Sequence, residues 1–246
     1  MFKILSIDGG GIRGVYSASV LQNIQDGLGI NISEKFDLIV GTSTGSIIAG
    51  ALSIDYPINK VVDLYRIEGH KIFKKPYIPQ KNLFVSKYSN RYFKNRLEEI
   101  FKDIKLSDVK KPLVIPVTDV GNGRVVLFKS SYNSEFTRDK NVFLRTAILS
   151  SCSAPGYFNP VIHSMPSYWG NDHKVEDYFL ADGGLWANNP SLVALTEAFS
   201  RRFQQNKENI LLMSLGTGIG ERYYPIKSSH SWGIYGFLNI LCPSIR

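Results

Sequence analysis

A five-residue turn, residues 41–45 (Gly-Thr-Ser-Thr-Gly), constrains this chain more than any other feature. The apolar residues 36–40 precede it, and the apolar residues 47–52 continue with helical character. Glycine two positions before and after Ser43 lets a strand and a helix meet, because a side chain at Gly41 or Gly45 would crowd the backbone. The pattern predicts a strand–turn–helix unit that presents the Ser43 hydroxyl as a nucleophile; a plain Gly/Ser-rich turn is the alternative.

Strand-like and helix-like segments alternate along the chain, which favours an α/β sheet with helices on both faces. The predicted strands are residues 2–7, 36–40, 113–117, 125–128, 178–180 and 210–215. The predicted helices are residues 15–25, 45–52, 57–72, 88–101, 143–151 and 190–203. The glycine-rich residues 121–123 predict a hairpin. Since no repeat or linker divides the sequence, we expect residues 1–246 to form a single domain.

Composition favours some binding partners and cellular locations over others. Lysine and arginine number 29 against 21 aspartates and glutamates, and such a basic surface attracts nucleic acid or anionic lipid headgroups. Without a zinc-finger or RNA-binding signature, nucleic acid is disfavoured as a partner. No apolar run is long enough to predict a transmembrane helix. The first residues do not resemble a signal peptide, and Cys152 and Cys242 suggest no disulfide framework, so we expect a cytoplasmic protein.

A second glycine-rich segment, residues 8–14 (Asp-Gly-Gly-Gly-Ile-Arg-Gly), lies between the first predicted strand and a helix. Successive backbone N–H groups at a helix start favour a bound anion. One candidate is a nucleotide pyrophosphate, since Gly9, Gly11 and Gly14 match the dinucleotide spacing; the other is the oxyanion of an acyl-transfer intermediate. The next strand lacks the acidic residue that holds the ribose, which favours the oxyanion. Arg13 is expected either to be solvated, or to steady the loop or attract a phosphate headgroup.

A serine nucleophile needs a base, and the histidines are poor candidates for one. We expect surface or structural roles for His70, His163, His173 and His230. Asp182 is the better candidate, because it ends a predicted strand and is followed by Gly183 and Gly184; a turn-capping aspartate is the alternative. An ordinary aspartate is a weak base at neutral pH, but desolvation beside Ser43 would raise its pKa and allow a Ser–Asp dyad without imidazole.

Three motifs in this order, residues 8–14, 41–45 and 182–184, resemble the patatin-like phospholipase family. Residues 151–160 and 214–218 agree with the resemblance, which covers nearly the whole chain. It implies a three-layer α/β/α sandwich with a mostly parallel central sheet. It also implies hydrolysis of lipid acyl esters, of the phospholipase A or lysophospholipase type, without a metal or organic cofactor.

The resemblance assigns a role to each motif. Ser43 corresponds to the nucleophile, and Asp182 to the group that accepts its proton. The residues that correspond to the oxyanion hole are Gly9, Gly10 and Gly11, with Arg13 nearby. The glycines that correspond to supporting motif positions are Gly14, Gly41, Gly45, Gly183 and Gly184.

The chain is also similar to stand-alone bacterial members of the family that act in cyclic-nucleotide anti-phage signalling. This similarity implies a cyclic-nucleotide activator and transient contact with phospholipid membranes, and it leaves the oligomeric state open. The expected lining of the acyl pocket is Ile12, Tyr157 and Phe158, and the expected membrane contacts are Trp232, Tyr235 and Phe237. Because family members often continue well beyond residues 214–218, we expect a fragment or a short member.

Two other functions fit parts of the sequence. A nucleotide-binding regulator would use residues 8–14 as a phosphate cradle and would not hydrolyse esters. A non-catalytic lipid-binding scaffold would have no use for Ser43 or Asp182, so their presence argues against it.

Overall fold

The computed structural model describes residues 1–72, 90–167, 174–200 and 202–218, in which helices cover both faces of a central sheet. The strands are β1 (Phe2–Ile7), β2 (Leu38–Gly41), β3 (Leu113–Asp119), β4 (Arg124–Lys129), β5 (Val161–Pro166), β6 (Val175–Asp182) and β7 (Ile210–Leu215). The helices are α1 (Gly14–Leu28), α2 (Thr44–Ser53), α3 (Ile58–Asp63), α4 (Gly69–Ile72), α5 (Asn90–Phe101), α6 (Leu144–Ser151), α7 (Gly184–Ala187) and α8 (Ser191–Phe199). A π-helix, Leu64–Glu68, joins α3 to α4, and 3-10 turns occupy Gly11–Arg13, Ile32–Lys35 and Lys207–Asn209.

The strands run in the order β5-β6-β3-β2-β1-β7, with β4 paired to β3 off this path. Strands β7, β1, β2 and β3 are parallel, whereas β4 and β6 are antiparallel to β3, and β5 is antiparallel to β6. Parallel strands buried on both faces read as nearly continuous apolar runs, which explains residues 4–7 and 38–40. The expected α/β fold with a mostly parallel central sheet is therefore confirmed.

Each face of the sheet carries its own apolar core. The larger core packs α1, α2, α3, α5 and α6 on one face, and it includes Leu5, Ile7 and Ile39. On the other face Ala194 and Ala198 of α8 pack on alternate residues of the same strands, such as Ile4 and Val40. This alternation produces the three layers.

The sheet register brings two distant parts of the chain to one level. Val40 of β2 pairs with Val114 of β3, so continuing this parallel register past the end of β2 puts Ser43 level with Val117. Val117 in turn pairs with Asp182, the last residue of β6. Strand β3 therefore separates the serine turn from the aspartate by the width of one strand.

Most predicted elements are confirmed, with differences at their ends. Strand β6 is longer than predicted, and β5 was missed because its alternating polar residues and its proline weaken the strand signal. His163 lies on strand β5. Helix α8 stops at Phe199, before the predicted residue 203, because Ser200 has extended backbone angles. Residues 88 and 89 of the predicted helix 88–101, and residues 232, 235 and 237, lie outside the described residues.

No helix in the four described ranges has both the length and the apolar character that crossing a membrane requires.

Candidate active site

The serine turn has a backbone conformation that few residues adopt. Ser43 has φ 52° and ψ −128°, a region that costs a non-glycine residue free energy and persists where the surroundings enforce it. The glycines on either side are sterically required: a methyl group at Gly41 would lie 2.4 Å from the Gly45 carbonyl oxygen, and one at Gly45 would lie 2.4 Å from the Ile7 carbonyl oxygen. The turn therefore seats α2 directly against β1 and β2.

The side chains of Ser43 and Asp182 are in contact, as the register of β2, β3 and β6 leads us to expect. The Ser43 hydroxyl donates a hydrogen bond of 2.7 Å to Oδ2 of Asp182. Both residues are nearly buried, with 9% and 7% of their surfaces exposed. A hydroxyl and a carboxylate at this distance in a water-poor setting have the geometry of a nucleophile and its base.

The surroundings of Asp182 raise its basicity. Burial raises its pKa from 3.8 to about 6, while the hydrogen bonds from Ser43 and the Gly184 N–H act in the opposite direction. The Gly184 N–H donates to Oδ1 at 2.6 Å, and the Thr118 hydroxyl donates to the Asp182 carbonyl oxygen at 2.8 Å. The carboxylate is therefore fixed in orientation and has a pKa closer to neutral pH, which suits a general base.

Ser151, at the end of α6, holds the backbone of the serine turn. Its hydroxyl accepts the Ser43 N–H at 2.9 Å and donates to the Pro116 carbonyl oxygen at 2.7 Å. The next residue, Cys152, lies against the same turn with its Sγ 3.9 Å from the Ser46 hydroxyl, and burial raises its thiol pKa. Sequence reasoning assigned neither residue a role, because both reach Ser43 only through the folded sheet.

The glycine loop lies beside Ser43, and hydrogen bonds fix its position. The Gly9 N–H donates to the Asn188 carbonyl oxygen at 3.0 Å, and the Gly10 N–H donates to the Thr44 hydroxyl at 3.2 Å. Gly11 has φ 58° and lines the cavity described below. As the first residue of its 3-10 turn, Gly11 has no N–H partner within that turn. Two of the three amides are thus already engaged, which leaves few donors for a pyrophosphate, and the assigned oxyanion role stays a prediction.

The remaining motif residues support this arrangement. Arg13 donates from Nη1 to the Gly218 carbonyl oxygen at 3.4 Å, so it links the glycine loop to the segment after β7. A methyl group at Gly14 would lie 2.9 Å from the Tyr65 ring, and one at Gly183 would lie 2.2 Å from the Pro116 carbonyl oxygen. These glycines therefore permit close packing around the site.

A cavity opens beside Ser43 and Asp182 on the side of the larger core. Its empty space is about 420 Å³, counting the part that is open to solvent. The other residues that line it are Gly11, Thr44, Ile47, Leu64, Tyr65, Ile72, Phe93, Cys152, Ala154 and Phe158. Most of these side chains are apolar, so the cavity suits a hydrocarbon chain. Of the expected lining residues, Phe158 is present, whereas Ile12 and Tyr157 are not.

The other candidate groups lie apart from the cavity. Of the two histidines in the described part of the chain, His70 is exposed on α4 and His163 lies on β5, and neither lines the cavity. Within the described ranges, no three side chains of His, Cys, Asp or Glu cluster in a way that could hold a metal ion.

Comparison with known proteins identifies the family. The model of the family described as "Patatin-like phospholipase" matches residues 5–195. This chain belongs to that family. The chain is 32% identical to "Patatin-like protein 4" of Arabidopsis thaliana, over 95% of this chain and 64% of that protein.

Bacterial relatives include proteins named "cGAMP-activated phospholipase". The one from Pseudomonas aeruginosa is 31% identical, over 88% of this chain and 62% of its own length. The one from Vibrio cholerae is also 31% identical, over 97% of this chain and 70% of its own length. The chain therefore spans slightly less than two thirds of the length of the plant protein and of the Pseudomonas protein.

A solved structure supports the fold. VipD from Legionella pneumophila superposes with a TM-score of 0.53 at 12% identity, covering 86% of this chain and 49% of that chain. At this identity the likeness concerns the patatin-like architecture alone.

Proposed function

We propose that this chain hydrolyses carboxylic esters of membrane phospholipids, as a phospholipase A or lysophospholipase, with Ser43 as nucleophile and Asp182 as base. The 2.7 Å hydrogen bond between these two side chains, which both line an apolar cavity, is the observation that carries the proposal. Membership of the patatin-like phospholipase family supports the same class of reaction.

In the first half of the reaction, Asp182 takes the Ser43 proton as the hydroxyl oxygen attacks the ester carbonyl carbon. The acyl chain lies in the apolar cavity, and the leaving alcohol departs with the proton from Asp182. In the second half, Asp182 takes a proton from water, whose oxygen attacks the acyl-serine ester. The fatty acid then leaves and the proton returns to Ser43.

Negative charge develops on the carbonyl oxygen in both halves, and the glycine loop is the proposed donor that stabilises it. Gly11 is the strongest candidate, because it lines the cavity with Ser43. The N–H groups of Gly9 and Gly10 donate to Asn188 and Thr44. They would either fix the position of Gly11 or donate to the oxyanion after these hydrogen bonds rearrange. Loss of one such donor typically lowers turnover by about 10²–10³-fold.

The direct test is fatty-acid release from phospholipid vesicles. We expect Ser43→Ala and Asp182→Asn to lose release, since one lacks the nucleophile and the other the base. Asp177→Asn is the matched control, because this exposed carboxylate lies on the same strand as Asp182 and accepts a hydrogen bond from the Ser164 hydroxyl, away from the cavity. Retention of full activity in Ser43→Ala or Asp182→Asn would contradict the proposed dyad.

We also propose that a cyclic nucleotide activates this hydrolysis. Relatives named for cGAMP activation support it, as does the match along almost the whole chain. We extend the proposal to a single-domain, cytoplasmic effector that degrades membrane lipid in anti-phage defence while bound peripherally. Vesicle hydrolysis measured with and without cGAMP tests the activator, and equal rates across a cGAMP titration would contradict it.

A further inference from the structure

The helical run from α3 through the π-helix to α4 has two different sides. Its inner side chains Leu64, Tyr65 and Ile72 line the cavity. Its outer side follows helical spacing and is exposed, and the charged members of that side are Lys60, Asp63, Arg66 and Lys71. Three cations against one anion give this outer side a net positive charge.

Arg66 and Lys71 differ from the nearby Arg96 in their contacts. Within the described part of the chain, neither forms an ion pair or a hydrogen bond to another side chain. Arg96, by contrast, forms an ion pair with Glu68 at 2.6 Å, so the Glu68 carboxylate is already engaged. Two exposed cations that have no anionic partner among the described residues can bind an external anion.

Apolar side chains accompany these cations. Ile67, between Arg66 and Lys71 on the same side, is 61% exposed. Tyr16 of α1 is 56% exposed and lies four residues beyond Ile12. The cationic side together with Ile67 and Tyr16 thus combines charge with apolar surface, which is the composition of a surface that binds a lipid interface.

The helical run from α3 to α4 also contacts the glycine loop. Gly69, the first residue of α4, packs against Ile12, so that a methyl group at Gly69 would lie 3.0 Å from Cδ1 of Ile12. Ile12 follows Gly11, which lines the cavity beside Ser43. The helical run that carries the exposed cations therefore packs against the glycine loop through its buried inner side.

We propose that Arg66, Ile67, Lys71 and Tyr16 form a docking surface for an anionic phospholipid bilayer. The cations bind headgroup phosphates, and Ile67 and Tyr16 enter the interface between headgroups and acyl chains. This inference rests on the proposed function, because it concerns how an acyl chain reaches the same cavity. The partner is a bilayer because separated cations and apolar side chains are engaged together, which a free phosphate would not require.

Vesicle binding tests the surface without turnover. Ser43→Ala protein would be sedimented with vesicles of equal parts phosphatidylglycerol and phosphatidylcholine, and with vesicles of phosphatidylcholine alone. Each basic side chain near an anionic surface contributes about fivefold to binding, so adding Arg66→Gln and Lys71→Gln should weaken binding to the anionic vesicles roughly 25-fold. Adding Ile67→Asn alone should weaken it by a smaller factor.

Matched controls come from the amino-terminal end of β3 and from the opposite face of the sheet. Lys110→Gln with Lys140→Gln removes two exposed cations near the amino-terminal end of β3, and Leu192→Asn removes a leucine that is 76% exposed on α8. These controls should bind like the parent. Equal binding by the Arg66/Lys71 variant and its control, equal binding to both vesicle types, or competition by free phosphate alone would overturn the proposal.

Hydrolysis of a soluble ester separates this proposal from the catalytic one. In an otherwise wild-type chain, Arg66→Gln with Lys71→Gln should leave cleavage of p-nitrophenyl butyrate unchanged and should slow fatty-acid release from anionic vesicles. Cleavage of the soluble ester without vesicle binding would overturn the docking surface alone. Vesicle binding by Ser43→Ala with no ester cleavage by the wild type would overturn the catalytic proposal alone.

Discussion

Two carboxyl groups at strand ends have similar electrostatics and different surroundings. Asp8 follows β1 and Asp182 ends β6, and burial raises the pKa of each from 3.8 to about 6. Asp182 accepts hydrogen bonds from the Ser43 hydroxyl and the Gly184 N–H. Asp8 has a hydrogen bond with the Asn189 side chain, and its Oδ1 has no partner within the described residues.

The difference shows that a raised pKa by itself does not identify a base. Both aspartates hold protons more tightly than exposed ones, but only Asp182 touches a hydroxyl that can act as a nucleophile. Asp8 instead lies near the turn between α7 and α8, whose residue Asn188 accepts the Gly9 N–H. Asp8 is the first residue of the glycine-rich segment 8–14 and directly precedes Gly9.

Replacing each carboxyl by an amide should separate the two sites most clearly. Asp182→Asn should lower kcat/KM for a soluble ester by about 10²–10⁴-fold, because an amide cannot take the Ser43 proton. Asp8→Asn should lower it by about tenfold or less, since the amide keeps a hydrogen bond to Asn189. A loss in Asp8→Asn as large as that in Asp182→Asn would remove the distinction.

The pH dependence of kcat/KM sharpens the assignment. The proposed mechanism requires the base form of Asp182, so kcat/KM should be level above about pH 6 and should fall about tenfold per pH unit well below it. Asp8→Asn should keep this inflection, because Asp182 remains. The measurement is ester hydrolysis between pH 4.5 and 8.5 in both proteins. If the inflection disappeared in Asp8→Asn, it would belong to Asp8, and its assignment to Asp182 would be wrong.

The sequence predicts local parts of this site well, because local sterics determine them. The need for Gly41 and Gly45 follows from how closely a strand and a helix approach, and the structure places backbone oxygens where their side chains would be. The predicted rise of the Asp182 pKa by desolvation is also found. Each of these inferences uses only a residue type and its immediate neighbours.

The contacts that hold the site together could not be predicted in the same way. Ser151 reaches Ser43 across 108 residues of sequence, and Thr42 donates to the Ala187 carbonyl oxygen across 145. Such contacts depend on the order and register of the strands, which no local pattern encodes. The resemblance to a family pointed to residues 151–160 as a block, but it gave no partner for any side chain in it.

Folding stability provides a smaller contrast between the two carboxyls. A pKa of about 6 in the folded chain, against 3.8 unfolded, means that ionised Asp182 costs the folded state up to about 3 kcal/mol above pH 6. Because the native state binds this proton more tightly, the cost vanishes below about pH 4. Asp182→Asn should therefore increase the free energy of unfolding at pH 7.5, with a gain that shrinks toward pH 4.

Urea denaturation at pH 7.5 and pH 4 measures this gain. Asp8→Asn should give a smaller gain, because Asp8 is only half-buried and solvent screens its charge. A gain for Asp182→Asn that is the same at both pH values would show that the carboxyl is not desolvated in the folded protein.

Covalent trapping of the nucleophile tests the central claim most directly. A fluorophosphonate reacts with an activated serine by losing fluoride, and mass spectrometry of peptides locates the phosphonate it leaves behind. We predict one adduct, on Ser43, which forms much more slowly in Asp182→Asn and at the wild-type rate in Asp177→Asn. An adduct on another residue, or an unchanged rate of labelling of Ser43 in Asp182→Asn, would contradict the account of a serine activated by this aspartate.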